Sequence, residues 1–524
     1  MTTQKTQQLD QLAWHTPQAP SVSIPKRLPL VNRLQSRSLN LQPEKDARLV
    51  NCYAEYDAED RAYWVYKRFG INANAHYSGP NNVYGRGIGV TLPAVAAQPN
   101  ASSQIWVAQE TDGKPHIFVE NVDIASMTSN VLYGLVDIIP LGALASKDVC
   151  ILNPYSGVYA ASGAPLQLYL VQNISGVLST IAVPTPSSPV SIASLDGYTF
   201  YIDTTGAVYN SDANNPATFT ATSVIYASSA PSRGIAVANH LSYIIAFTDV
   251  TGQVFYDAGN PTGSVLSPVP DAQLPVGCFF KDSIASIDNE LFWLTYNTTG
   301  TVQVGRLTNL SYQTVSTPSI ERLLTRLNLP LGNTTDWIYG WALKLSGHRF
   351  YGITSISGNF TLVFDIDQQL WYQWTDANGN YWPIVAIGAQ DLGTDNTSVG
   401  QYVQRRDAGQ VYDISDQYVF NTDYGNAVPV DIYTPNFDGG TVRRKYLRTM
   451  YLDGDKVPAK LKVRYSDDDY NTWSNFREVD LSLKKPRLSR CGTFDRRRAY
   501  HFRHQAPTTF RIRDVDVQLD IGTL

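Results

Sequence analysis

Histidines, clustered carboxylates and arginine runs are the side chains in this 524-residue chain that could do chemistry. The seven histidines are His15, His76, His116, His240, His348, His501 and His504. None has a second histidine at the H-x-x-x-H or H-E-x-x-H spacing that places two metal ligands on one helix face. His501 and His504 are close, but on a strand an odd separation sends side chains to opposite faces. No G-x-S-x-G elbow and no local Cys/His/Asp cluster is present, so an active site would have to be assembled from distant loops. Cys52, Cys150, Cys278 and Cys491 are far apart, lack C-x-x-C spacing and read as buried small hydrophobes. The sequence therefore assigns no catalytic, cofactor-binding or metal-ligating residue.

Three other groupings have a chemical reading and a structural one. Gly85, Gly87 and Gly89 in YGRGIGV resemble a phosphate cradle, but no Lys-Ser/Thr follows and no helix opens there, so a glycine turn at the start of a β domain is expected. Glu55, Asp57, Glu59 and Asp60 are paired acids on paper and a solvated hairpin tip by context. SDDDYNTW, Ser466 to Trp473, is similar to the Asp-box turn of sialidase-type propellers through Ser466, Asp468, Thr472 and Trp473, with Tyr470 where the glycine should be. It occurs once, and the expected role is a hairpin staple.

The basic residues are the candidate binding surface. Arg443, Arg444 and Lys445 with Arg448, and Arg496, Arg497 and Arg498 with Arg503, Arg511 and Arg513, are interleaved with Tyr446, Tyr500 and Phe502. They could meet phosphates. An acidic protein partner, such as the next copy of this chain, is the favoured alternative.

The elements that must position these residues are strands. Composition is 43% apolar, 11% aromatic and 17% charged, with 32 Tyr, 36 Gly and 29 Pro, which fits many short strands divided by turns. The clearest unit is GHRFYGITSISGNFTLVFDIDQQLWYQW, Gly347 to Trp374. Its runs His348 to Thr354, Phe360 to Asp365 and Leu370 to Trp374 alternate with period two, placing Phe360, Leu362 and Phe364 on one face. Aromatic-centred strands recur at Trp106, Tyr159, Phe200, Tyr243, Phe292, Phe350 and Tyr402, spaced by 53, 41, 43, 49, 58 and 52 residues. A hairpin-rich unit repeating at that interval is the signature of a β-propeller, here of about seven blades. One helix interrupts it, Ser319 to Leu329, with Ile320, Leu323, Leu324 and Leu327 at helical spacing and Pro318 before it.

The expected fold class is all-β, with an extended N-terminal arm over 1–47, a β-propeller including its opening hairpin over 48–427, and a C-terminal β-sandwich-like domain over 428–524. Strands in the last are expected around Tyr446 to Leu452, Leu461 to Tyr465, Tyr500 to His504 and Thr509 to Leu519. Net charge is only -5, yet it is partitioned. Residues 1–50 hold 7 Lys/Arg and 3 Asp/Glu, residues 51–436 hold 15 and 31, and residues 437–524 hold 19 and 12. An acidic middle between basic ends points to separate partners for each, to contact between neighbouring copies, or simply to an acidic domain beside a basic one. No signal peptide or membrane span is expected, which places synthesis in the cytoplasm.

Three stretches together resemble the tail hub or nozzle proteins of short-tailed bacteriophages, the packaged-DNA stabilisation family. They are RLVNCYAEYDAED with KRFGI and YGRGIG; VSTPSIERLL, Val315 to Leu324, with GHRFYGI and TLVFDIDQQLWYQW; and KVRYSDDDYNTWSNFREVDL with RRRAYHFRHQAPTTFRIRDVDVQLDIG. Tyr470 and Lys485 to Leu488 depart from the family pattern. The resemblance implies a non-enzymatic virion protein without cofactors, present as a ring of six copies below the portal and head-to-tail adaptor, touching tail fibre, spike or needle proteins. Packaged double-stranded DNA would pass through its lumen without sequence-specific binding. An acidic lumen would repel the phosphates of the sliding duplex. The alternative from another class is a glycan-binding or glycan-hydrolysing phage propeller, which should show repeated Asp boxes and converging arginine and carboxylate groups.

Overall fold

The computed structural model describes residues 24–31, 46–59, 61–90, 104–127, 134–141, 148–152, 168–172, 177–185, 187–227, 232–296, 300–325, 338–391 and 399–522. Strands dominate, and the helix Pro318–Thr325 stands among them. It is shorter than expected within the described residues; Leu327 lies outside them. Its apolar stripe does pack, with Ile320 and Leu324 buried and Leu323 against the same cluster. Among the described residues no helix is long and apolar enough to cross a membrane.

The strands form a β-propeller. Five sheets stand alone as four-stranded antiparallel blades, spanning Asn82–Ser126, Asp137–Ile181, Pro189–Tyr226, Gly234–Pro268 and Ala285–Thr314. That is fewer than the seven or so expected. The two remaining repeats of the pattern are not free blades, because strands from elsewhere in the chain extend them. Ile338–Leu345, His348–Ser355, Phe360–Asp365 and Leu370–Trp374 continue into a nine-stranded sheet, and Ile384–Asp391, Val399–Arg405 and Val411–Ser415 join Gly70–Ile71 in a six-stranded one. The first strand of the last repeat packs back against the first strand of the first, so the ring closes.

Period-two alternation explains how each blade is buried on both sides. Phe360, Leu362 and Phe364 enter one core cluster with Phe292 and Tyr351, while Val363 enters another with Trp341 and Trp374. Trp106, Phe200, Tyr243, Phe292, Phe350 and Tyr402 each fall in the second strand of a repeat. Tyr159 lies outside the described residues. The glycine run is a strand rather than the expected turn: Gly87 has φ +144° and Gly89 packs so tightly that a Cβ would come within 2.5 Å of Ile138 Cγ2. These glycines let the innermost strand of one blade approach the next.

Residues 48–71 tie the ring to the C-terminal part of the chain. Arg48–Val50 runs parallel to Leu370–Trp374 on one side and antiparallel to Val430–Tyr433 on the other, fusing a propeller repeat to the sheet Val430–Tyr433, Ala499–His504, Lys460–Ser466 and Arg477–Asp480. The hairpin Cys52–Asp57 and Ala62–Lys67, expected with the propeller, pairs instead with Arg511–Ile521 through Val65–Ile512 and Tyr66–Arg511. Its strand can do so because Val65 faces the same core as Ile512, Val517 and Met450. The arm strand Ile24–Arg27 pairs along that same Arg511–Ile521 strand. The two sheets pack face to face around Ile432, Leu447, Met450, Leu461, Val463, Phe502, Val515 and Val517.

The axis of the propeller is crossed by chain. Leu135 N donates to Asp282 Oδ2 at 3.1 Å, and Lys281 Nζ reaches Asp137 Oδ1 at 3.1 Å, joining the second and fifth blades across the ring. Arg86 of the first blade donates to Gly134 O at 3.2 Å. Leu135 packs with Tyr339, Val385 and Phe280. Burial works against the Lys281 charge, but Asp137 and Asp282 outweigh it and hold the ammonium above its ordinary value. Burial pushes the Asp282 carboxyl up.

Candidate functional site

The two arginine-rich stretches and the Asp-box hairpin, read separately in the sequence, meet in the sandwich. Lys460–Ser466 pairs with Ala499–His504 so that Ser466 lies opposite Ala499. This places the turn that follows Ser466 beside the residues that precede Ala499. Asp467 takes both ends of the Arg498 guanidinium, at 2.6 Å to Nε and 2.8 Å to Nη2. Asp469 pairs with Arg497. Asp468 instead closes the turn itself, accepting from Thr472 N at 2.8 Å, Thr472 Oγ1 at 2.6 Å and Ser466 Oγ at 2.8 Å. Burial opposes its charge, yet the hydrogen bonds from Thr472 and Ser466 hold the carboxyl below the usual aspartate range.

Tyr470, where a glycine was expected, adopts φ +66° as a glycine would. Its compensation is a hydroxyl that donates to Thr434 O at 2.8 Å and a ring buried beside Trp473. The hairpin is a structural staple, as its sequence context suggested.

Each expected basic residue has a definite place. Arg498 is 1% exposed, donates to Cys491 O and Thr493 O, and lies 3.8 Å from the Tyr465 ring centroid. Lys445 is likewise internal, its ammonium capping the carbonyls of Thr441, Asp495 and Arg496 at 2.6, 2.8 and 2.9 Å. These two shape the surface and do not present charge on it. Arg448 pairs with Asp520, and Arg444 approaches Asp495 at 3.6 Å. Arg443 and Arg496 are exposed and make no ion pair among the described residues. Of the arginines named with them, Arg503 is taken up by Asp431, Arg511 by Asp455 and Arg513 by Asp453.

The stronger free cationic surface lies nearby. Lys484, Lys485, Arg487 and Arg490 are exposed and make no ion pair among the described residues. They flank Arg487–Ser489, the edge strand of its sheet beside Lys445–Gly454. Arg477, from the edge strand of the opposing sheet, donates to Ser489 O at 2.6 Å and Arg490 O at 2.9 Å, so both open edges run together. Leu483 and Val442 are exposed apolar side chains in the flanking segments. The signal was legible: Lys484 to Arg490 holds four cations in seven residues and no acid. Charge on an edge strand also discourages unwanted strand pairing.

The histidines flanking this region are internal. His501 is buried, with Nε2 2.6 Å from Asp431 and Nδ1 accepting from Arg464 Nε at 2.8 Å, while its ring stacks on Tyr433. Burial lowers the His501 pKa. An imidazole with its nitrogens occupied in this way and no solvent access is suited to holding strands together. His504 points to the other side and stacks on Phe510, as the alternation required.

A family model described as "Bacteriophage P22 Gp10, beta-propeller" matches residues 137–335, the span of the second to fifth blades and the helix. No curated protein matches the sequence. Among solved structures the fold is similar to the N-terminal domain of Nup159, at 7% identity and TM-score 0.36 over 70% of this chain and 99% of that one. YCF48 from Cyanidioschyzon merolae is similar at 12% identity and TM-score 0.37 over 64% of this chain and 96% of that one. U3-55K follows at 8% identity and TM-score 0.36 over 64% and 95%. Over residues 137–335, which are 199 of the chain's 524, the sequence is therefore similar to the propeller of the phage P22 Gp10 family.

Proposed function

We propose that this chain is a structural phage tail protein that assembles into a ring, continues the DNA channel below the portal and adaptor, helps retain the packaged genome and guides its ejection. The observation that carries the reading is the family match over residues 137–335, the second to fifth blades and the helix. Two features of the molecule support the ring. The propeller axis is crossed by the contacts of Leu135, Asp137, Lys281 and Asp282, so a duplex conduit would have to lie between copies rather than through one. The exposed cations of Lys484 to Arg490 face outward on an open sandwich edge, while residues 51–436 carry 31 Asp/Glu against 15 Lys/Arg. Complementary charge of this kind steers and registers neighbouring copies.

In the ring, the cationic edge of one copy sits against the acidic propeller of the next, and the remaining acidic surface lines the lumen, where it keeps DNA from adhering. Six copies, with adaptor and portal above and fibre, spike or needle proteins around, complete the reading. Its role is non-enzymatic, in line with the family.

Imaging of intact particles tests this directly. The expected result is ring density for this chain below the portal. Charge reversal of Lys484, Lys485, Arg487 and Arg490 to Glu is expected to leave folded protein that no longer forms rings at low salt and particles that release DNA to nuclease. A purified chain that stays monomeric at every salt concentration, with no matching density in particles, overturns the ring, and a neutral or basic lumen overturns the repulsion argument.

A further inference from the structure

The first blade carries a group of ionisable side chains that neither the sandwich nor the propeller axis uses. Strand Gln104–Glu110 turns into Pro115–Val119, and Val122–Ser126 lies along the outer side of that strand. The turn and the outer strand bring three carboxylates around one imidazole. Asp123 Oδ2 lies 2.8 Å from His116 Nδ1, Asp112 Oδ2 lies 3.2 Å from Nε2, and Glu110 Oε2 lies 3.9 Å from Nε2. Glu110, His116 and Asp123 each offer a donor atom, and all three atoms lie within 4.8 Å of one another. Glu110 is 8% exposed, and its Oε1 is buried without a hydrogen-bond partner. A buried carboxylate oxygen with nothing to accept from has lost its water and gained no replacement.

We propose that this group binds a transition-metal dication, with Glu110, His116 and Asp123 as its ligands. A dication neutralises two of the converging negative charges, where a proton on the imidazole neutralises one. The imidazole nitrogen in the donor set favours Zn2+ over Mg2+ or Ca2+, which take oxygen alone. An imidazole gives one nitrogen to a metal and keeps the other as a donor: with Nδ1, the nitrogen beside Asp123, given to the ion, Nε2 keeps its proton and donates to Asp112. That is the outer-shell partner by which ligating histidines are oriented. The sequence hid the site because its residues are separated by turns rather than by helical spacing. Once bound, the ion ties the exposed outer strand Val122–Ser126 to the turn after Glu110, stiffening the rim of a free-standing blade.

Equilibrium dialysis of untagged full-length protein against Zn2+ at neutral pH, followed by metal analysis, tests the site. One Zn2+ per chain is expected. His116→Asn should abolish binding, Glu110→Gln should weaken it, and Asp112→Asn should cost about 10- to 100-fold in affinity as an outer-shell partner. The thermal midpoint of the native chain should rise with Zn2+ concentration, and that of His116→Asn should not. Failure of the native chain to take up Zn2+, or equal uptake by His116→Asn and Glu110→Gln, overturns the proposal. Should His116→Asn fail to fold, Glu110→Gln keeps the size and shape of the side chain and decides the question alone.

Discussion

The outer rim of the propeller and the seam that joins the ring to the sandwich handle charge in opposite ways. At the rim, ion pairs stay in solvent. Lys344 reaches Asp288 of the adjacent repeat at 3.0 Å with both side chains largely in solvent. At the seam, Arg68 is fully buried, pairs with Asp423, and donates to Asn51 Oδ1, Phe69 O and Thr375 O at 2.9, 2.8 and 2.9 Å. Trp374 and Trp382 close over it, with the guanidinium 5.2 Å from the Trp382 ring centroid. Asn51 links the same network to Thr375 and to Pro429 O. Away from the axis, neighbouring repeats stack through apolar faces, so the charges at their rim are free to stay outside. Where three distant segments must be registered at one point, the hydrogen-bonding geometry of an arginine specifies what apolar contact leaves degenerate.

The contrast can be broken most directly at Arg68. Arg68→Met leaves Asp423 buried without its partner and is expected to cost about 3–5 kcal/mol, read by denaturant unfolding monitored through tryptophan fluorescence. A loss no larger than that at a rim pair would show that the seam is apolar in effect.

Acid probes the seam next. Burial pushes His504 down to about 4 from the ordinary 6.5, with Lys67 adding to the shift. Between those values the unfolded chain binds a proton that the folded chain refuses. The stability present above pH about 6.5 is therefore lost as pH falls towards about 4, by up to roughly 3 kcal/mol. His504→Phe, which keeps the ring stacked on Phe510, is expected to remove that part of the pH dependence in equilibrium unfolding. An unchanged profile would assign the acid sensitivity elsewhere.

The smallest effect is expected at the rim. Lys344→Ala should change stability by no more than about 0.5 kcal/mol, and less at high salt. A cost comparable to that of Arg68→Met would remove the distinction between rim and seam.

How legible these regions were follows the same division. The blades repeat locally, so alternation placed the three strands of Gly347 to Trp374 almost residue for residue, and the aromatic spacing marked the second strand of each repeat outside the undescribed Tyr159 region. The seam has no local signature. Cys52, Tyr53 and Ala54 are buried in succession before solvent-facing Glu55 and Tyr56, and nothing in that stretch tells that its hairpin is completed by Arg511–Ile521. The basic surface was half visible for the same reason. A run such as Arg496 to Arg498 reads as exposed charge until Asp467 and Asp469 are known to lie beside it. Lys484, Lys485, Arg487 and Arg490 make no ion pair among the described residues, and their charge survives folding.

Placing Arg48–Val50 between Leu370–Trp374 and Val430–Tyr433 also has a temporal consequence. Arg48–Val50 leaves the ribosome before any blade and has no partners until more than three hundred residues later, and the hairpin that follows it waits longer still for Arg511–Ile521. The blades can form one after another as they emerge, since each pairs with sequence already made. Ring closure and sandwich formation are then a single late event with high contact order, slow by nature and exposed to misassembly while it is pending. A chain cut short near its end would hold finished blades around an unjoined seam.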